Sequence, residues 1–197
     1  MDYVINLATA YVKALFALYM KPSLRYHSLS HTMAVVNRCI EMSNFYSLPD
    51  KAHRNLVVAA WFHDTGHLVS GHRDHEKVGV GLMHAFFVSS NIPPNDLDLA
   101  AAEQCIMATK WPPAPVSTEE MIICDADTYH LGTPEFFLTD RAVREEFSEQ
   151  KDMSDREWKM KSLKFLEEHT FFTAYCQQLL NAGKQANIET LRLQLSL

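Results

Sequence analysis

Apolar residues in this chain recur at three- and four-residue intervals and show no sustained strict alternation. Segments such as SLSHTMAVVNRCIEMSNFYSL and DKAHRNLVVAAWFHD carry the spacing throughout. That is the period of a helix with one buried face, and it leaves no convincing strand. Glycine is scarce, and the eight prolines fall at joints: Pro22, Pro49, Pro93-Pro94, Pro112-Pro113 with Pro115, and Pro134. Because proline stops a helix, the joints cut the chain into helix-sized pieces. The expected fold class is therefore all-α. The opening DYVINLATAYVKALFALYM reads as a first amphipathic helix, and the tail from Phe171 to Leu197 reads as a last one. Asp50 and Asn95 are candidate helix caps, and Ser154 stands three residues before Glu157 in a capping-box pattern.

With 197 residues, 47% of them hydrophobic, and neither internal repeat nor low-complexity linker, the chain is sized for one globular domain. Its net charge of -6 excludes a broad basic field for a nucleic-acid polymer or an anionic membrane. Phosphate recognition is thereby confined to a local site. Cys39, Cys105, Cys124 and Cys176 form no C-x-x-C pair, so neither a thiolate zinc site nor a disulfide framework is expected, and a reducing cytoplasm fits. Lys13 interrupts the first apolar run, which matches neither a signal peptide nor a bilayer span.

Chemistry concentrates in VVAAWFHDTGHLVSGHRDHE. A His-Asp dipeptide alone is weak: ten histidines and eleven aspartates predict roughly half an occurrence by chance. Here, however, the apolar run before His63 implies a buried helix end, with Gly66 as the expected stop. A carboxylate at such an end faces the negative pole of the helix dipole, and burying it without a counter-charge is costlier still. Something cationic should stand beside Asp64. Eight of the ten histidines lie between His27 and His84, and His27/His31 and His63/His67 each show helical i, i+4 spacing. MIICDADTYHLG ends a second apolar run in Asp125 and Asp127, which point roughly 200° apart on a helix, so one at most faces a given site.

Together these residues look like the H...HD...D signature of the HD-domain metal-dependent phosphohydrolases, with His31, His63-Asp64 and Asp127 in the signature positions. The blocks YHSLSHTMAVV, FHDTGH, DHEKVG, IMATKWPP and IICDADTYHLGTPEF resemble, in order, a small bacterial subgroup with HDTG and DAD sequences; FLEEHTFFT in the tail is similar too. The resemblance covers approximately Tyr26 to Phe137. It implies an HD-type helical bundle with a core at about 23-137 and a helical extension at about 138-197.

The resemblance further implies that His31, His63, Asp64 and Asp127 coordinate one divalent ion, with Asp64 able to bridge to a second, and that Asp127 rather than Asp125 is the ligand. Two imidazoles and two carboxylates suit Mn, Fe, Co, Ni or Zn, while Mg favours an all-oxygen shell. Asp64, His67, His75 and Lys110 are the catalytic candidates: His75-Glu76 for a second ion or proton transfer, Lys110 for a substrate phosphate. His67 departs from the family, where many members have Lys and the subgroup tends to an aromatic residue. His27 either enlarges the site or caps its helix, and His53, His84, His130 and His169 read as structural or surface groups. The expected activity is hydrolysis of a small phosphoester, a nucleotide or another phosphorylated metabolite. The competing readings are a cyclic-nucleotide phosphodiesterase and a metal-containing regulatory module without turnover. A homodimer is compatible with the sequence.

Overall fold

In the computed structural model, the described residues are 2-148 and 153-196. Among them, regular structure is entirely helical: α1 (Tyr3–Tyr19), α2 (Leu29–Phe45), α3 (Asp50–Phe62), α4 (His67–Ser70), α5 (His75–Ser89), α6 (Leu99–Ala108), α7 (Thr118–Asp127), a 3-10 turn (Tyr129–Gly132), α8 (Phe136–Ser148), α9 (Asp155–Glu168) and α10 (Ala174–Ser196). No strand occurs among the described residues. No helix there is long and apolar enough to cross a membrane. The chain divides into two compact units, Met1–Asp127 and Thr128–Leu197.

In the first unit α3 is the central element. Every residue from Asn55 to Phe62 is buried, and α1, α2, α5, α6 and α7 all pack against this helix. A helix apolar on all sides is one surrounded by partners. The surrounding helices bury single faces instead: α1 contributes Val4, Ala8, Val12 and Phe16 at four-residue steps. At the end of α3, the Phe62 ring lies 6.0 Å from Tyr11 and 5.3 Å from Phe86 between centroids. Burying such an aromatic side chain contributes on the order of 2–3 kcal/mol and fixes the base on which His63 stands.

Caps set where the helices begin. Asp2 accepts from the backbone N–H of Val4 and Ile5 and receives Arg54 Nε at 2.5 Å, tying the start of α1 to α3. Ser28 accepts from His31 N at the start of α2. Two expected caps are corrected. Asp50 is the first residue of α3, after Pro49, and so serves the dipole from within the first turn. Asp98, not Asn95, caps α6 by accepting from Ala101 N at 3.2 Å, because 95-97 lie outside the helix.

In the second unit, Ser154 and Glu157 form the expected capping box of α9, with Glu157 Oε2 accepting from Ser154 N at 2.9 Å. Trp158 Nε1 and Ser162 Oγ both donate to Asp140, at 2.9 and 2.5 Å. Burial raises the Asp140 pKa despite those donors. Asn187 of α10 donates to the carbonyls of Leu131 and Thr133, holding the 3-10 turn.

Candidate metal centre

The buried run of α3 delivers His63 at its C-cap and Asp64 one residue later, inside a turn rather than on the helix. Gly66 is a correction: its backbone is right-handed, so it does not end α3 by adopting a left-handed cap. Its small size matters instead. A Cβ on Gly66 would stand 2.0 Å from the His75 carbonyl oxygen, and one on Gly79 would stand 2.7 Å from that of Phe62. The first two turns of α5 are thus pressed against the turn that carries Asp64.

His31 arrives from the first turn of α2 and Asp127 from the last residue of α7. One ligand atom from each of His31, His63, Asp64 and Asp127 lies within 4.8 Å of the other three. His31 Nε2 is 3.0 Å from Asp127 Oδ1 and 3.2 Å from Asp64 Oδ2. His63 Nε2 is 3.1 Å from Asp64 Oδ2 and 3.7 Å from Asp127 Oδ1. Asp125 is fully buried but belongs to none of the metal-ligand groups among the described residues.

On the other carboxylate oxygen the arrangement repeats. His67 Nε2 and His75 Nε2 lie 3.9 and 3.8 Å from Asp64 Oδ1, and the three residues form a second possible ligand group. Glu76 is buried, with its Oε1 3.5 Å from His75 Nε2. Lys110 is half exposed and pairs with Asp74 at 3.7 Å, just ahead of His75.

Second contacts choose the tautomers. His63 Nδ1–H donates to the Ala60 carbonyl at 2.8 Å, and His75 Nδ1–H donates to that of His72 at 3.1 Å. Each leaves Nε2 as the inward nitrogen, the orientation that metal-binding imidazoles are held in by such contacts. His63 Nε2 and Asp64 Oδ2 are close but off line, and both are buried without a hydrogen bond. A cation between them would satisfy both atoms, so this donor set fits a metal ion.

Electrostatics agree with the geometry. Burial alone would lower His31 and His63, but Asp127 and Asp64 outweigh it, raising His31 to about 9 and His63 well above its usual value. Burial would raise Asp64, yet the charges of His63 and His27 and the close approach of the His31 and His63 imidazoles hold it well below the ordinary carboxylate range. Asp127 is depressed likewise, against burial, by His31 and His63. The cationic neighbour expected beside Asp64 is, in the protein itself, this imidazole pair. His67 goes the other way: burial, reinforced by His27, His75 and His72, lowers it to about 2.

The histidine pairing read from i, i+4 spacing is also corrected. His27 precedes α2 and Ser28 does the capping, so His27 and His31 do not share a helix face. The His27 ring stacks on His67 at 3.7 Å, while His31 lies beside His63 at 5.6 Å. His72 joins the first pair, 4.9 Å from His67. It was not singled out by the sequence, where only the Gly71-His72 step hinted that the chain turns back. Elsewhere His53 meets Ser43 at 2.6 Å, His84 meets Glu103 at 3.4 Å and His169 meets Thr128 at 3.0 Å.

Residues 28-132, more than half of the chain, match the family model described as HD domain. The chain belongs to the HD domain family. HD domains are typically metal-dependent phosphohydrolases, and the HD domain here carries His/Asp groups able to hold metal ions. Comparison with curated proteins and with solved structures gives no match.

Proposed function

We propose that this HD domain is a divalent-metal-dependent hydrolase of a small phosphoester, a nucleotide or another phosphorylated metabolite. The observation that carries the reading is the convergence of His31, His63, Asp64 and Asp127 on one buried point, with two of its polar atoms lacking hydrogen bonds. Two imidazole nitrogens and two carboxylate oxygens suit a first-row divalent ion and leave coordination positions for water and a phosphate oxygen. Such an ion supplies Lewis acidity toward both.

The remaining work falls to residues around Asp64. His75, half-buried with Nδ1–H anchored on His72, holds Nε2 free to take or return a proton on the Oδ1 side of Asp64. His67, buried and kept neutral, is assigned to shaping that side rather than to donating the proton. Lys110 can swing from its exposed pair with Asp74 to meet a substrate phosphate, since exposed pairs hold weakly.

The test is to measure the metal content of the purified full chain and then screen it against phosphomonoesters, phosphodiesters and cyclic nucleotides. Turnover that follows metal loading and disappears in His31→Ala and Asp127→Ala supports the reading. A metal-loaded protein that turns over no phosphoester would replace it with a regulatory module. Turnover of cyclic nucleotides alone would narrow it to a phosphodiesterase.

A further inference from the structure

Asp64 is surrounded by more imidazoles than the four-residue centre uses. His27, His67 and His72 each bring a ring nitrogen within 4.8 Å of those of the other two, and none of the three is among the four centre residues. We propose that His27, His67 and His72 form a separate cation site for a nitrogen-preferring divalent metal of the zinc class.

The local chain builds this cluster deliberately. His27 stands just ahead of the Ser28 cap and His67 opens α4. After that single turn, Gly71 at φ 69° reverses the backbone, a conformation glycine adopts without steric cost. The reversal brings the His72 ring back to 4.9 Å from His67 and 5.6 Å from His27. His67 is buried, and neither of its ring nitrogens has a hydrogen bond. Leaving a buried polar atom unsatisfied costs about 1–3 kcal/mol, and a coordinate bond removes that penalty for one of them.

In a tetrahedral zinc site with Zn–N bonds of about 2.0–2.1 Å, ligand nitrogens stand roughly 3.3 Å apart. Closing to that spacing asks for rotation about the terminal torsions of His27 and His72, which are half-buried and have broad torsional wells. The first unit thus supplies three of the four ligands that a tetrahedral zinc takes. Three imidazoles favour Zn, Co, Ni or Cu over Mn, Mg or Ca, whereas the neighbouring centre offers two imidazoles and two carboxylates. The proposal stands independently of hydrolysis.

His67 also faces Asp64 beside His75, and the experiment separates these placements. Full-length protein is saturated with Zn(II), freed of excess by gel filtration and analysed for metal. Wild type should carry two ions per chain, His27→Gln/His72→Gln one, and His75→Gln two. Asp127→Ala should keep the one at the three histidines. Each single change at His27 or His72 should weaken the second ion on the order of 100-fold, since even indirect partners of a metal contribute 10–100-fold.

Two ions in the double variant, one ion in wild type, or loss of the second ion in His75→Gln would each overturn the proposal. Should the double variant lose helicity, Co(II) titration of wild type decides alone. Strong visible bands of a tetrahedral site must develop with one of two equivalents, and weak six-coordinate bands throughout would overturn it.

Discussion

Loading the four-residue centre should displace protons in a number that the structure sets. The metal-free cluster holds two carboxylates depressed below their usual range and two imidazoles raised above theirs, so at neutral pH it is a balanced set of two negative and two positive charges. A divalent ion needs both Nε2 lone pairs and therefore replaces two protons, leaving the charge unchanged. With His31 at about 9, its proton alone lowers the apparent affinity at pH 7 by about 100-fold, or about 2.7 kcal/mol. Two ordinary imidazoles would release only about half a proton between them at that pH. Calorimetric titration with Mn(II), in buffers of different ionisation enthalpy at pH 7, should give about two protons per ion. Affinity should rise about 100-fold from pH 7 to 8 and flatten above about 9. Release of half a proton or less, with an affinity independent of pH, would refute the argument.

The same shifts set the metal-free stability. Raised imidazoles contribute fully below 6.5 and lose that contribution as pH rises through about 9; depressed carboxylates contribute above 3.8 and lose it as pH falls. Melting temperature without metal should therefore peak between those values and fall toward pH 9, and metal should flatten the alkaline side. Asp64→Ala should abolish turnover together with the ion of the four-residue centre, whereas Asp125→Ala keeps that ion with a loss of roughly 10–100-fold, as metal analysis and phosphoester turnover will show. Gly66→Ala drives a Cβ into the His75 carbonyl and should destabilise by about 1–3 kcal/mol in urea denaturation. Ser154→Ala removes a complete capping box and should lower stability by about 1 kcal/mol in the same assay.

Helix class was legible because periodicity is local: the buried stretch of α3 and the box at Ser154 depend on neighbours within a few positions. Asp127 was distinguishable from Asp125 only through the family pattern, since helix geometry states that the two diverge but not which way the site lies. What stayed hidden depends on packing between segments. The i, i+4 rule put His27 with His31, but α2 starts at Leu29, which freed His27 to stack on His67. Gly66 read as a helix stop because that is the commoner use of glycine there. Its use as clearance for the His75 carbonyl requires knowing that α5 crosses at that point. Likewise, the local sequence called for a cation beside Asp64, but that α2, 33 residues away, supplies an imidazole there was given only by the family pattern.

The placement of Asp127 at the end of the first unit has a consequence for biosynthesis. His31 and Asp127 are 96 positions apart, and at about 5–20 residues per second the ribosome takes roughly 5–20 s to travel between them. For that interval the nascent chain exposes His31, and later His63 and Asp64, without the carboxylate that completes the set. Cellular metal can therefore be captured in its final geometry only after α7 has emerged, and folding of the first unit and closure of its centre become one event in time.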